Sequence, residues 1–258
     1  MTPSTAAPRP VAVAAGLGTL LLAIPLLALL LDVPWIELPR LLTSTESLDA
    51  LRVSGVVSLV AALLSVLLGV PLAYILARTD FPGRGIIRAI VTVPLILPPV
   101  VTGVALLSGF GRRGWMGDVF GFGLPLTTVG AILAATIVSM PFLILSVEGA
   151  FRSGDGRLEK MAHSLGAGPL ETFWRVSVPV VRPSIVAGAV LAWARALGEF
   201  GATITFAGSV QGVTRTLPLE VVLAYEQDPE RALALSVLLL AVSLSVLFAL
   251  RDRFLPSR

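Results

Sequence analysis

The stretch LEKMAHSLGAGPLETFWRVSVPVVRP, residues 158–183, decides how the rest of the chain is read, because it is a long polar segment among uncharged runs. Leu158, Met161, Ala162 and Leu165 fall at i, i+3, i+4 and i+7, which gives a short helix one apolar face. Gly166 then supplies the residue that most readily takes the left-handed cap. Pro169 suits the first position of a second short helix, on which Leu170, Phe173 and Trp174 line one side before Pro179 ends the pattern. The segment therefore reads as two small helices that offer apolar and charged contacts to something outside the membrane.

Working outward, the composition sets the class. The chain is 55% hydrophobic and 14% charged, with a mean hydropathy of +0.91. Uncharged runs stand at Val11–Leu31, Val53–Ala77, Ala89–Phe110, Leu126–Val147 and Ala232–Leu250, each close to the roughly 20 residues that cross a bilayer core. A further run, Pro183–Gly208, is equally long but carries Arg195 and Glu199. Any one of these runs taken alone reads equally as a buried core helix. Together they leave no soluble shell to cover them, so the expected fold is an all-α integral membrane protein of six transmembrane helices. Residues 11–250 make one domain, 151–182 a two-helix cytoplasmic loop, and 251–258 a cytoplasmic tail. Residues 1–10, with Pro3, Pro8 and Pro10, are expected to be disordered.

Basic residues set the orientation. With the N-terminus inside, Arg9, Arg78, Arg84, Arg88, Arg152, Arg157, Lys160, Arg175, Arg182, Arg251, Arg253 and Arg258 are cytoplasmic. Only Arg40, Arg52, Arg112, Arg113, Arg215 and Arg231 then lie outside. Both termini and the 158–183 segment are thus placed in the cytoplasm. The first run is longer than the ~7–15 residues of a secretory signal core and is expected to stay as an anchor. The sequence pI of about 10.1 follows from charges scattered at membrane edges and does not imply nucleic acid.

Signals of catalysis are scarce. Lys160 is the only lysine and is not preceded by glycine, so there is no phosphate-binding Gly-Lys-Ser/Thr loop and no ATP site in this chain. His163 is the only histidine and there is no cysteine, which leaves no metal set. Gly109-Phe110-Gly111-Arg112-Arg113-Gly114 matches a dinucleotide-binding pattern but follows a membrane run rather than a strand, and reads as a turn.

Features of a pathway are present instead. Pro94, Pro98 and Pro99 interrupt the third run, and freed carbonyls are tolerated there only against protein or a watery cavity, so this span is expected to face the interior. Arg195 and Glu199 are four apart on one face, where they read equally as a packing ion pair or as substrate contacts. Thr102, Thr203 and Thr205 offer hydroxyls, and Gly103 and Gly201 let backbones approach closely, though the same residues also serve close helix packing. Arg112 and Arg113 break the positive-inside trend on the outer face.

The polar loop resembles the coupling loop of ABC importer permeases, whose pattern is Glu-Ala-Ala, three residues, Gly, nine residues, Ile, one residue, Leu-Pro. Here Gly166, Val176 and Val178-Pro179 hold the later positions, and Lys160-Met161-Ala162 stands where Glu-Ala-Ala is usual. Glu159 lies one residue early, displaced by about 100° around a helix. Gly198-Glu199-Phe200-Gly201-Ala202-Thr203-Ile204-Thr205-Phe206-Ala207-Gly208, Thr216-Leu217-Pro218-Leu219, Leu97-Pro98-Pro99-Val100-Val101-Thr102-Gly103 and Phe110-Gly111-Arg112-Arg113-Gly114 are similar to molybdate importer permeases, and less closely to sulfate permeases. The likeness spans roughly Leu48 to Leu250.

That resemblance implies a bacterial or archaeal cell-membrane homodimer on two copies of an ATP-binding subunit, fed by an extracytoplasmic molybdate-binding protein. ATP and magnesium would sit on the partner, with no cofactor, metal or catalytic residue in this chain. Glu159, Lys160, Gly166, Ala167, Glu171, Phe173 and Trp174 would form the coupling surface, and Pro98, Pro99, Thr102, Gly103, Arg195, Glu199, Gly201, Thr203 and Thr205 the pathway. The alternatives are a sulfate or tungstate importer and an ion-coupled carrier, for which Glu199 is the only acid well inside a run.

Overall fold

The computed structural model describes residues 8–120 and 123–254, and its regular elements there are all helical. The chain begins with α1 (Arg9–Asp32), the short α2 (Leu38–Leu42) and α3 (Thr45–Arg78). There follow α4 (Arg84–Ile96), α5 (Pro99–Phe110), α6 (Trp115–Phe120) and α7 (Thr128–Ser153). The polar segment forms α8 (Arg157–Ser164), α9 (Pro169–Thr172) and a π-helical turn at Phe173–Ser177. The last elements are α10 (Val178–Leu197), α11 (Gly201–Ala207), α12 (Leu217–Gln227) and α13 (Pro229–Phe254).

The centre is built from α3, α7 and α10, and small side chains explain their close approach. Without a hydrophobic drive between helices in lipid, association relies on tight packing and on hydrogen bonds. Ser47, Ala50, Ser54, Ser58, Ala61, Ser65 and Gly69 are buried on α3, Ala131, Ala134, Ala135 and Ser139 on α7, and Gly188, Ala192 and Ala196 on α10. A Cβ on Gly69 would lie 2.8 Å from Leu143 Cδ2, and one on Gly188 would lie 3.3 Å from the Leu143 Cα. The hydroxyls are satisfied within and between helices: Ser65 Oγ donates to the Ala61 carbonyl at 2.8 Å, and Trp193 Nε1 of α10 donates to Ser58 Oγ of α3 at 3.0 Å. Leu76, Leu143, Ile144, Val147, Phe151 and Val181 fill the end of the bundle nearest α8.

Five segments are long and apolar enough to cross a membrane among the described residues: Arg9–Asp32, Thr45–Arg78, Thr128–Ser153, Pro169–Leu197 and Pro229–Phe248. The expected third span comes as two helices, because Leu97 and Pro98 are both extended, with ψ 137° and 135°. Each precedes a proline, whose ring disfavours helical geometry in the residue before it. Pro94 is accommodated inside α4. The expected fifth span is likewise interrupted, at Gly198–Phe200 between α10 and α11.

The helices also outrun the uncharged runs. α3 starts at Thr45 because Ser44 accepts the Ser47 N–H, and hydrogen bonding continues past charges as readily as through apolar residues. At the N-terminus α1 already includes Arg9 and Pro10, and at the C-terminus α13 continues to Phe254. The remainder of the expected disordered N-terminus and cytoplasmic tail, 1–7 and 255–258, lies outside the described residues.

Pro179 does not end the second short helix. The chain continues through the π turn, where the Val178 N–H bonds the Phe173 carbonyl, and into α10 with Pro179 in its first turn. A proline has no N–H and its ring collides with the carbonyl four residues back, and the wider π turn relieves that collision.

Candidate functional site

The two helix breaks meet. A Cβ on Gly201 would lie 2.7 Å from Pro99 Cβ, and one on Gly103 would lie 2.5 Å from Thr205 Cβ and 3.0 Å from the Ala202 carbonyl. The glycines therefore serve contact between α5 and α11. Thr205 Oγ1 donates to the Gly201 carbonyl at 2.8 Å, so this hydroxyl is spent within its own helix. Thr102 and Thr203 are buried, and neither hydroxyl has a hydrogen-bond partner among the described residues. Thr203 stands about 200° around α11 from Gly201, which takes it off the face that meets α5.

Glu199 bridges the second break. Its carboxylate pairs with Arg195 Nη1 at 2.6 Å and accepts the Ala202 N–H at 2.8 Å, joining the end of α10 to the start of α11. The Glu199 side chain is 1% exposed and Arg195 28%, so the pair is closed over on the carboxylate side. The geometry is that of an ion pair within the chain, spanning the break between α10 and α11. The face of α5 away from α11 is uncovered in the single chain: Val100, Val101 and Val104 are exposed, as is Pro98 just before the helix. The expectation that the third span faces the interior thus holds for one side only, where Thr102, Gly103 and Leu106 are buried.

The polar loop lies at the other end of α7 from the Arg112–Arg113 turn. At ~1.5 Å per residue the 26 residues of α7 span about 39 Å, close to a bilayer with its headgroups. Gly166 has φ 88° and closes α8 with paired bonds, Gly166 N–H to the His163 carbonyl and Ala167 N–H to the Ala162 carbonyl, both 3.0 Å. His163 Nδ1 sits 3.1 Å from the Ala167 carbonyl. The apolar face of α8 points outward, with Leu158, Met161 and Leu165 at 54%, 61% and 87% exposure. Lys160 is exposed, as are Leu170, Trp174 and the paired Glu171 and Arg175.

Two expected members of that surface turn inward. Phe173 is buried edge-on against Tyr74, with ring centres 4.9 Å apart, and Tyr74 in turn meets Phe151 at 5.3 Å. Glu159 pairs with Arg78 Nε at 3.1 Å and accepts the Ser177 hydroxyl at 2.8 Å. At the opposite end, Arg112 and Arg113 are exposed without an acidic partner among the described residues, and border an open cavity with Leu107, Gly111, Gly123, Pro125, Leu126 and Thr127.

Residues 69–256 match the family described as binding-protein-dependent transport system inner membrane component. The chain belongs to this family. It is 45% identical over 258 residues to the molybdenum transport system permease protein ModB of Mycobacterium tuberculosis, covering 98% of this chain and 97% of that one. It is 42% identical over 174 residues to the ModB protein of Escherichia coli, covering 66% and 76%. In fold it resembles a bacterial ABC transporter involved in the import of the acidic polysaccharide alginate, with TM-score 0.68 at 18% identity, over 96% of each chain.

For a binding-protein-dependent permease, the residues that sequence reasoning missed are mostly ion pairs. Glu148 lies inside α7, is 6% exposed, and pairs with Arg88 and with Arg152, the latter at 3.6 Å. Glu220 is fully buried between Arg215 at 3.4 Å and Arg231 at 3.2 Å, and Arg231 also reaches Glu46 at 3.3 Å. Among the described residues Glu199 is therefore one of three buried acids, each with an arginine. The signal in the sequence was the arginine near each acid, but most of these pairings cross between elements.

Proposed function

We propose that this chain is the membrane-spanning subunit of an ATP-driven importer that moves molybdate, or a similar tetrahedral oxyanion, into the cytoplasm by alternating access. The observation that carries the reading is the near full-length likeness to molybdenum permeases at 45% identity. Two copies of the chain sit on two copies of an ATP-binding subunit, as the resemblance implies, and receive substrate from an extracytoplasmic binding protein, in keeping with the family's description. ATP and magnesium belong to the partner, since this chain has no phosphate-binding lysine motif. Both termini face the cytoplasm, as the arginine distribution favours.

Each region has a part. Leu158, Met161, Leu165, Leu170 and Trp174 are an uncovered apolar surface on a polar loop, the kind that a partner protein covers. Lys160, Glu171 and the Gly166–Ala167 cap shape and charge its rim. Arg112 and Arg113 raise the local concentration of a dianion at the outer mouth. The uncovered side of α5, with Pro98 and Pro99 at its head, faces the second copy across the pathway. Thr102 and Thr203 are buried away from that side, and their hydroxyls, unpartnered among the described residues, reach the pathway only if the broken helices move. The Arg195–Glu199 pair and the Gly103 and Gly201 contacts hold the broken helices together as they move.

The test is uptake of labelled molybdate by proteoliposomes that contain this chain, its ATP-binding subunit and its binding protein, with excess sulfate or tungstate as competitor. Uptake that resists sulfate supports molybdate. Uptake abolished by sulfate keeps the architecture and changes the substrate.

A further inference from the structure

We infer that Glu159, Arg78 and Ser177 form a latch that transmits movement of α8 into α3 and the head of α10; this rests on the importer reading above. None of the α8 residues is buried, and its larger apolar side chains, Leu158 and Met161, are more than half exposed. An amphipathic helix ordinarily docks by its apolar face. Here that face is turned out, and the inward attachment is polar.

The backbone is a poor transmitter at both ends of α8. It is entered through Gly154-Asp155-Gly156, with Gly156 at φ 67°, and left through Gly166 at φ 88°. A push on α8 delivered along such linkers bends them. Glu159, in the first turn, makes the rigid connection: Arg78 Nε lies 3.1 Å from one carboxylate oxygen and 3.3 Å from the other, and the Ser177 hydroxyl donates at 2.8 Å. Arg78 Nη1 also donates to the Gly154 carbonyl at 3.0 Å.

The base of the latch is firm. Arg78 is the last residue of α3, one turn beyond Tyr74, which is wedged against Phe151 of α7 and Phe173 of the π turn. Ser177 is 2% exposed and ends that same turn where α10 begins. The side chains of Arg78 and Glu159 are 21% and 15% exposed, so the pair is largely shielded from salt. Glu159 is thus a positioning residue that works through Arg78 and Ser177, rather than a contact for the ATP-binding subunit.

The chain has no cysteine, so paired spin labels at Thr79→Cys and Ser164→Cys report the distance between the end of α3 and α8. In the complex with the ATP-binding subunit, the unaltered latch is expected to give one narrow distance with and without ATP. Glu159→Gln or Arg78→Gln broadens it, keeps ATP hydrolysis, and lowers substrate moved per ATP by at least about fivefold, the lower end of coupling between distant sites. The exchange Glu159→Arg with Arg78→Glu restores both the narrow distance and the ratio. A narrow distance in the single variants, or uptake and hydrolysis that fall in proportion, overturns the latch. The distance measurement needs no substrate, so absence of uptake by the unaltered complex counts against the importer reading and leaves the latch to be judged by its labels.

Discussion

Substituting Gly103 by alanine should force α5 away from α11. The added Cβ would sit 2.5 Å from Thr205 Cβ and 3.0 Å from the Ala202 carbonyl. Carbon atoms settle at about 3.5–4.0 Å, so roughly 1 Å of separation must be found. The atom struck is bonded directly to the backbone, so the helix itself has to shift rather than a side-chain tip. Overpacking of this kind costs about 1–3 kcal/mol. Alanine also favours helix over glycine by about 0.5–1 kcal/mol, which masks part of the loss. Gly109→Ala supplies the correction, because it lies on the same helix and its Cβ meets nothing within 4 Å. The difference between the two variants isolates the collision. Thermal unfolding of the purified protein in detergent is the assay, with about 2–4 °C expected per kcal/mol for a chain of this size. Equal midpoints for Gly103→Ala and Gly109→Ala would refute the argument that α5 and α11 are held through glycine contact.

Arg195→Met leaves the Glu199 carboxylate buried without its counter-charge and should cost about 3–5 kcal/mol. The double variant with Glu199→Gln, which keeps an oxygen for the Ala202 N–H, should cost less than Arg195→Met alone in the same unfolding assay. Leu165→Glu changes a side chain that is 87% exposed, so stability should stay within about 0.5 kcal/mol while co-purification of the ATP-binding subunit falls. Arg112→Glu with Arg113→Glu should leave unfolding unchanged and reduce uptake, and added salt should depress uptake by the unaltered protein but not by this variant. Unchanged uptake would remove these arginines from the entry path.

The bundle was legible because its signals are local: hydropathy over about 20 residues, proline pairs, and glycine at a helix end. Leu97-Pro98-Pro99 announced a break, and Gly166 announced a cap, from neighbouring residues alone. What could not be read is which way side chains turn. Phe173 and Trp174 look equivalent in a helical pattern, yet the π turn rotates Phe173 into the aromatic cluster and leaves Trp174 exposed. Glu159 looked displaced from a docking position, and its partners Arg78 and Ser177 lie 81 and 18 residues away. Glu148 stands one residue beyond the uncharged run that ends at Val147, although its helix continues to Ser153. The unspent hydroxyls of Thr102 and Thr203, against the spent one of Thr205, depend on neighbours that no spacing reveals.

The central claim is that this chain moves an oxyanion only as part of an ATP-driven assembly. The direct measurement is uptake of labelled molybdate into proteoliposomes with each component left out in turn: this chain, the ATP-binding subunit, the binding protein and ATP. Uptake is expected only when all are present. Uptake that persists without ATP or without the ATP-binding subunit would contradict it and identify a self-sufficient carrier.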